Sequence, residues 1–243
     1  MSSGTNIQRT GLARALSKLG FCSRAQAFSL IRSHRVRLNQ RPVRDPETRV
    51  RLGKDRIEVD GKQVDAAGKV YLMLNKPCGL VTTRSDDQGR KTIYSLLPGY
   101  SDWLAPVGRL DMASEGLLLL TNDSSWGARI ASPQAHIDKT YHVQIDMVAN
   151  QELIDRLHKG VRTDRDLLAA KRAGILRLGK KNSWLEIVLD EGKNRHIRRM
   201  LAELAIEVLR LVRVSVGSLQ LGDLPKGKAR ALTDDEKEAL AGK

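Results

Sequence analysis

A carboxylate in a loop at the edge of a buried sheet is partly desolvated, which suits it to nucleophilic or acid-base work. The string Gly108 to Asp123, GRLDMASEGLLLLTND, puts Asp111 in that position: a glycine and two charged residues precede an apolar strand that a Thr-Asn-Asp turn closes. Taken alone, Asp111 equally fits a turn cap. A second group is Lys139-Thr140-Tyr141, opening a strand whose alternation puts Tyr141 on the inward face with Val143 and Ile145. Such a tyrosine is either an ordinary core residue or an aromatic face with a polar tip for a planar ligand. The third group is EGKNRHIRRM, Glu191 to Met200, where a turn leads into a helix. Ile197, Met200, Leu201 and Leu204 form its buried stripe, and basic residues crowd its first turns as a solvated or phosphate-binding face. His136, His142 and His196 are too scattered for a metal site, and Cys22 and Cys78 lack the paired spacing of zinc ligands. No metal is expected.

The charge balance points to the partner. Lys and Arg number 42 against 28 Asp and Glu, a net charge of +14, which calls for a polyanion. Eight of the basic residues (Arg14, Lys18, Arg24, Arg32, Arg35, Arg37, Arg41 and Arg44) fall between Gly11 and Arg44, with no acidic residue among them. They do not form one long amphipathic helix with a bulky apolar face, so nucleic acid fits better than an anionic membrane. The longest pure aliphatic run, Leu117 to Leu120, is far short of the roughly 20 residues of a membrane span. The polar start, Met1 to Thr10, lacks the apolar stretch of a secretory signal, and a cytoplasmic protein is expected.

These groups need elements to place them. Leu12, Leu16 and Leu19 recur at helical spacing before Gly20, and Ser23 with Gln26 forms a capping box for a second helix. Ala27, Leu30 and Ile31 then face inward and leave Arg24 and Arg32 outward. Short strands follow at Val36 to Leu38 and at Ile57 to Val59, the latter before a turn at Asp60-Gly61. Gln63 to Lys69 is small and polar, a linker. From Val70 onward, strands at Tyr71 to Leu74, Leu117 to Leu120, Tyr141 to Ile145, Leu185 to Leu189 and Leu209 to Val216 alternate irregularly with helices at Gln151 to His158 and Arg195 to Ala205. That is an α+β pattern around a mainly antiparallel sheet. Asp234 to Lys243 reads as a frayed terminal helix.

The N-terminal residues resemble the alpha-L RNA-binding motif, the small domain of a ribosomal small-subunit protein and of several rRNA-modifying enzymes. The match runs over about Gly11 to Lys62 and rests on Ala15 to Gly20, Ser23 to Ala27, Ile31-Arg32, Val36 to Asn39 and Ile57 to Lys62, with Gln40 where that family usually has glycine. The string around Asp111 closely resembles the catalytic motif of the ribosomal small-subunit pseudouridine synthase A family, whose relatives also modify large-subunit rRNA. Leu74 to Val81 and Leu221 to Gly227 agree in order, while Ser124, Ala229 and His196 depart from the usual glycine, aromatic residue and glutamine.

The resemblance implies a small N-terminal alpha-L RNA-binding domain (11–62) between a flexible tail (1–10) and a linker (63–69). A pseudouridine synthase domain (70–235) with a mainly antiparallel mixed sheet flanked by helices would follow, then a C-terminal tail (236–243). It implies an enzyme that turns one uridine of rRNA into pseudouridine without a cofactor, with large-subunit rRNA slightly preferred. Asp111 would be the essential carboxylate, and Tyr141 would stack on the uracil or also move the proton at carbon 5. Arg198 would form an ion pair with Asp111, and Arg109 would fill the space left by the flipped base or clamp a phosphate. Lys139, Arg195, Arg14, Arg24, Arg32 and Arg37 would join Arg109 as RNA contacts. The partner would be ribosomal RNA or an assembly intermediate, and the protein a monomer. The competing reading is a non-catalytic rRNA-binding assembly protein.

Overall fold

In a computed structural model the chain is described at residues 9–100 and 103–242. It divides into two compact units, one built mainly on residues up to Val70 and the other on most of the chain from Tyr71 onward.

In the first unit, strand β1 (Arg9–Gly11) leads into helix α1 (Leu12–Lys18), which ends where Gly20 turns left-handed at φ +77°. Helix α2 (Arg24–Arg32) starts at Ser23, whose hydroxyl accepts from the Gln26 amide while the Gln26 side chain accepts from the Ser23 amide, the expected capping box. The remaining strands are β2 (Val36–Leu38), β3 (Arg41–Pro42), β4 (Arg49–Arg51), β5 (Ile57–Val59) and β6 (Lys62–Gln63). They pair in the order β3-β2-β5-β6, with β1 and β4 as a separate ladder. Leu12, Leu16, Ala27, Ile31, Val36 and Val50 are fully buried in one core, so the apolar stripes of both helices face inward as their spacing dictates.

Two turns in this unit take left-handed backbone at non-glycine residues. Asn39 and Gln40, at φ +49° and +68°, join β2 to β3, so the hairpin closes although the glycine usual at position 40 is missing. Asp60 at φ +53° and Gly61 at +77° join β5 to β6. Pairing of Gln63 with Glu58, and packing of Val64 against the core, carry ordered structure into the stretch expected as linker. Arg9 and Thr10, expected in a loose tail, lie in β1, while Met1 to Gln8 fall outside the described residues.

In the second unit, the strands are β7 (Tyr71–Lys76), β8 (Ala105–Val107), β9 (Glu115–Thr121), β10 (Lys139–Ile145), β11 (Val161–Arg162), β12 (Leu167–Leu168), β13 (Arg172–Leu178), β14 (Ser183–Leu189), β15 (Val208–Val216), β16 (Leu219–Gln220) and β17 (Ala229–Ala231). The helices are α3 (Ser124–Ala131), α4 (Gln151–Lys159), α5 (His196–Ala202) and α6 (Asp234–Ala241). The sheet has nine strands, ordered β13-β14-β10-β15-β9-β7-β17, with β16 on β15 and β8 on β9. The ladders β13-β14-β10-β15 and β7-β17 are antiparallel, and β15 meets β9 in parallel at Val212 with Glu115 and Arg213 with Gly116. One core lies against α4 and α5 through Val143, Ile145, Leu157, Leu185 and Met200, and another against α3 and α6 through Leu117, Leu119, Trp126 and Leu240.

The stretch expected as a frayed terminal helix forms α6, held more firmly than expected. Thr233 and Glu236 form a second capping box, Arg230 grips the Glu236 carboxylate at 2.6 and 2.8 Å, and Leu240 is 3% exposed. Apolar burial by Leu240 holds what the charged, alanine-rich sequence left as a frayed end.

The parallel contact fixes the entrance to β9. Gly116 sits at φ +100°, and a Cβ there would lie 2.2 Å from the Arg213 carbonyl oxygen and 2.8 Å from the Arg213 amide nitrogen. Backbone strain and overpacking add at this position, so Gly116→Ala lowers stability by about 3 kcal/mol, read as a shift of the urea midpoint. A midpoint within experimental error of the parent would contradict this close approach.

Candidate active site

The loop ahead of β9 carries Asp111, and three residues behind it decide its shape. Lys76, at the end of β7, is fully buried, and its ammonium donates to the carbonyls of Ser114 at 2.7 Å, Asp111 at 3.0 Å, Pro77 at 3.1 Å and Met112 at 3.4 Å. Thr82 Oγ1 donates to the Leu110 carbonyl at 2.6 Å and accepts from the Leu110 amide at 3.4 Å. The Gly79 amide donates to the Met112 carbonyl at 2.8 Å. The loop closes on itself where the Ser114 amide meets the Asp111 carbonyl at 3.0 Å. Its backbone oxygens are thus satisfied from beneath, and the Asp111 side chain stays 36% exposed.

Burial pushes the Lys76 ammonium down to about 8, against the upward pull of Cys78, Asp111 and Glu115. Glu115, the next acid along the chain, is gripped by Arg210 at 3.1 Å and Lys226 at 2.5 Å. Those two cations hold its carboxyl below the usual range although burial works the other way.

A cleft of about 300 Å³ opens in front of this loop, lined by Asp111, Arg109, Lys139, Tyr141, Arg195 and Arg213 among others. It brings together five of the residues singled out from sequence. Tyr141 is half-buried, packed against the core that holds Val143 and Ile145, as strand alternation requires. Arg109 is exposed beside it. Lys139 donates to the Ile137 carbonyl at 2.7 Å, and burial, aided by the charge of Arg213, lowers its proton affinity.

Arg198 is placed differently from expectation. Its guanidinium donates to the carbonyls of Ala113 at 3.0 Å and Val208 at 3.3 Å, while Nε is buried with no hydrogen-bond partner. The ion pair with Asp111 comes from Arg195, at 3.7 Å. The reason is local: helix α5 begins at His196, and Arg195 takes left-handed backbone (φ 49°, ψ 35°) just before it, so Arg195 reaches the carboxylate while Arg198 ties the Asp111 loop to β15. Burial, with the repulsion of Arg195, lowers the proton affinity of Arg198, and Asp111 opposes that loss, so the two charges feel each other without direct contact.

Two residues that sequence reading left without a role, Lys76 and Arg213, belong to this site. Both lie in quoted or strand-forming stretches, but their partners lie far along the chain, at Ser114 and Leu117. His196 is 4% exposed with neither ring nitrogen hydrogen-bonded, and burial favours its neutral form, with Glu191 3.6 Å away. Among the described residues no group of three or more His, Cys, Asp or Glu could hold a metal ion, and no helix is long and apolar enough to cross a membrane.

In the first unit, Arg14, Arg24, Arg32 and Arg37 are all exposed. Arg24 stands 4.0 Å from Glu47, and Arg14, Arg32 and Arg37 make no ion pair among the described residues. Arg35, from the same basic stretch, is neutralised by Asp60 at 2.5 Å.

Known proteins resemble this chain over most of its length. Residues 70–203 match the family model described as RNA pseudouridylate synthase, and residues 10–57 match the S4 domain. A Bacillus subtilis protein named ribosomal large subunit pseudouridine synthase B is 35% identical over 94% of both chains. An Aquifex aeolicus protein named as an uncharacterized RNA pseudouridine synthase is 38% identical over 91% of this chain and 89% of its own. A solved structure titled as a pseudouridylate synthase superposes with a TM-score of 0.65 at 30% identity, covering 95% of this chain and 99% of that one. With an S4 domain ahead of the matched synthase fold, the chain belongs to the RNA pseudouridine synthases of the ribosomal small-subunit pseudouridine synthase A family.

Proposed function

We propose that this enzyme isomerises one uridine of ribosomal RNA to pseudouridine, with Asp111 as its catalytic carboxylate. The observation that carries the reading is the Asp111 loop itself: three of its carbonyls anchored on one buried lysine leave the carboxylate at the mouth of a cleft, with Tyr141 beside it. A uridine in folded RNA reaches that carboxylate only once its base leaves the stack. Arg109, exposed at the cleft, fills the vacated place or holds a phosphate, and Tyr141 takes the base against its ring. Asp111 then either attacks the ribose or removes a ribose proton to give a glycal, and both routes need it ionised. Arg195 sets its guanidinium 3.7 Å from the carboxylate, and Arg198 holds the loop in register through Ala113. No redox change is involved, so positioning and charge carry the acceleration.

The substrate follows from the basic N-terminal unit, which we assign to residues 11–62 and to rRNA, with the synthase domain over 70–235. Large-subunit rRNA is favoured, because the 35% identical Bacillus subtilis relative is named for that subunit. The enzyme acts as a monomer in the cytoplasm. The test uses transcripts of large- and small-subunit rRNA carrying uridine tritiated at carbon 5, from which isomerisation releases the label. Release from the large-subunit transcript alone is the expected result. Binding without release from either transcript would leave the non-catalytic assembly role in its place.

Electrostatics gives a further expectation. RNA affinity falls steeply with salt, and replacing Arg14, Arg32 and Arg37 together by glutamine makes the slope of log K against log salt shallower by roughly 2 to 3, as when three phosphate contacts are lost. Filter binding across a salt series measures it, and an unchanged slope would remove these arginines from the RNA footprint.

A further inference from the structure

Arg213 lines the cleft at only 5% exposure. Its Nε donates to the Leu117 carbonyl at 2.8 Å, while its terminal nitrogens have no hydrogen-bond or carboxylate partner among the described residues. It pairs directly with Tyr141 across the β10-β15 ladder, so the two side chains stand next to each other on one face of the sheet. Lys139, two residues before Tyr141, lines the same cleft, and its charge is partly balanced by Asp138 and Asp190. The free terminal nitrogens of Arg213 are turned to the cleft with no carboxylate on them among the described residues, which marks a place where an anion arrives.

We propose that Arg213 stabilises the negative charge on the uracil ring after it has left the ribose, which makes it a further catalytic residue. The proposal rests on reading the cleft as the target uridine's site with Tyr141 on the base. When the bond between ribose carbon 1′ and uracil N1 breaks, its electron pair goes to the ring and spreads over N1, O2 and O4. Carbon 1′ is satisfied either by an Asp111 oxygen or by loss of the 2′ carbon proton to Asp111. After the ring turns, carbon 5 gives an electron pair to carbon 1′ and Asp111 either leaves as carboxylate or returns the proton to carbon 2′. The carbon 5 proton departs and N1 gains one, so the product is an isomer of the substrate.

Depth and geometry favour the base over the phosphate as the partner of Arg213. An RNA phosphate is strongly hydrated and stays at the cleft mouth, whereas Arg213 lies deep and beside the tyrosine that takes the ring. With Nε engaged by Leu117, two terminal nitrogens remain as a fork that fits a ring oxygen and its neighbouring nitrogen. Charge placed in advance where charge develops in a dry site is the strongest form of electrostatic catalysis.

The experiment compares wild type, Arg213→Met and Arg213→Lys in single turnover on large- and small-subunit rRNA transcripts made with uridine or with 5-fluorouridine. Rearranged nucleoside is separated after digestion, affinity is measured by filter binding and folding by thermal melting. Fluorine withdraws electrons from the ring and makes it a better leaving group. Arg213→Met is expected to slow uridine rearrangement about 100-fold with unchanged RNA affinity, and to show a smaller deficit on 5-fluorouridine; Arg213→Lys should lose less than methionine on both. A rate equal to wild type, or an equal deficit on the two bases, overturns the proposal. If the methionine variant fails to fold, the lysine variant decides by the same comparison of bases, since its shorter and more localised charge must also cost less on fluorouridine. Asp111→Asn, run alongside, separates the two readings: if it stays active, the reading of the cleft falls, whereas an inactive Asp111→Asn with an unaffected Arg213→Met removes only the role of Arg213.

Discussion

Asp111→Asn is expected to bind rRNA as tightly as the parent and to release tritium from carbon 5 at least about 10⁴-fold more slowly. The amide has nearly the shape of the carboxylate, so the loop keeps its anchors: Lys76 and Ser114 bond the backbone of Asp111 and leave its side chain free of structural duty. The single ion pair lost, to Arg195 at 3.7 Å, involves side chains 51% and 36% exposed and so contributes little to stability. What is lost is the negative charge at the reacting sugar, needed whether the group attacks carbon 1′ or takes a proton. An asparagine enzyme within tenfold of the parent would assign the chemistry to another residue.

Lys76→Met is expected to give the second largest effect, with the rate falling at least about 100-fold while RNA affinity holds. Methionine matches the stem of lysine but withdraws the donor for the carbonyls of Ser114, Asp111, Pro77 and Met112. The carbonyls of Ser114 and Pro77 lose this donor, those of Asp111 and Met112 keep only the Ser114 and Gly79 amides, the loop shifts, and the carboxylate loses its aim. Stability drops by about 3 kcal/mol because dry acceptors are left unpaired. In the parent, the same lysine predicts a pH effect. Its ammonium, pushed by burial down to about 8, keeps its proton below that pH and loses it above, so single-turnover rate falls as pH rises through about 8. A rate that stays flat from pH 7 to 10, or a methionine variant with full activity, would show that the loop holds its shape without this anchor.

Local features were legible in the sequence, and distant ones were not. The Ser23 and Gln26 cap is made by residues three apart, and the stripe of Ala27 and Ile31 follows from helical spacing, so both were open to reading and both are present. Tyr141 faces inward because its own strand alternates. Strand β13 escaped notice because it is an outer strand of the sheet whose Leu176 and Leu178 are 47% and 56% exposed, which leaves no alternation of buried and polar positions. Helix α6 looked like a frayed end because its one deeply buried side chain, Leu240, packs in a core with Leu219, Trp126 and Leu117, partners 21 to more than a hundred residues earlier.

The same logic divides the site. Asp111 and Arg109 sit in one continuous motif, and the resemblance pointed to them. Lys76 and Arg213 act on backbone oxygens 38 and 96 residues away, a relation visible only once the sheet has placed β7, β9 and β15. The exchange between Arg195 and Arg198 turned on where α5 begins: one residue of left-handed backbone decides which guanidinium meets the carboxylate. Composition and spacing do not encode that choice.

The central claim, one rRNA uridine isomerised by Asp111, is tested most directly by mapping pseudouridines in rRNA from cells lacking the gene, complemented with the parent or with Asp111→Asn. Loss of one site that returns with the parent and stays absent with Asp111→Asn is the predicted result. An unchanged map in the deletion, or full restoration by Asp111→Asn, would contradict it.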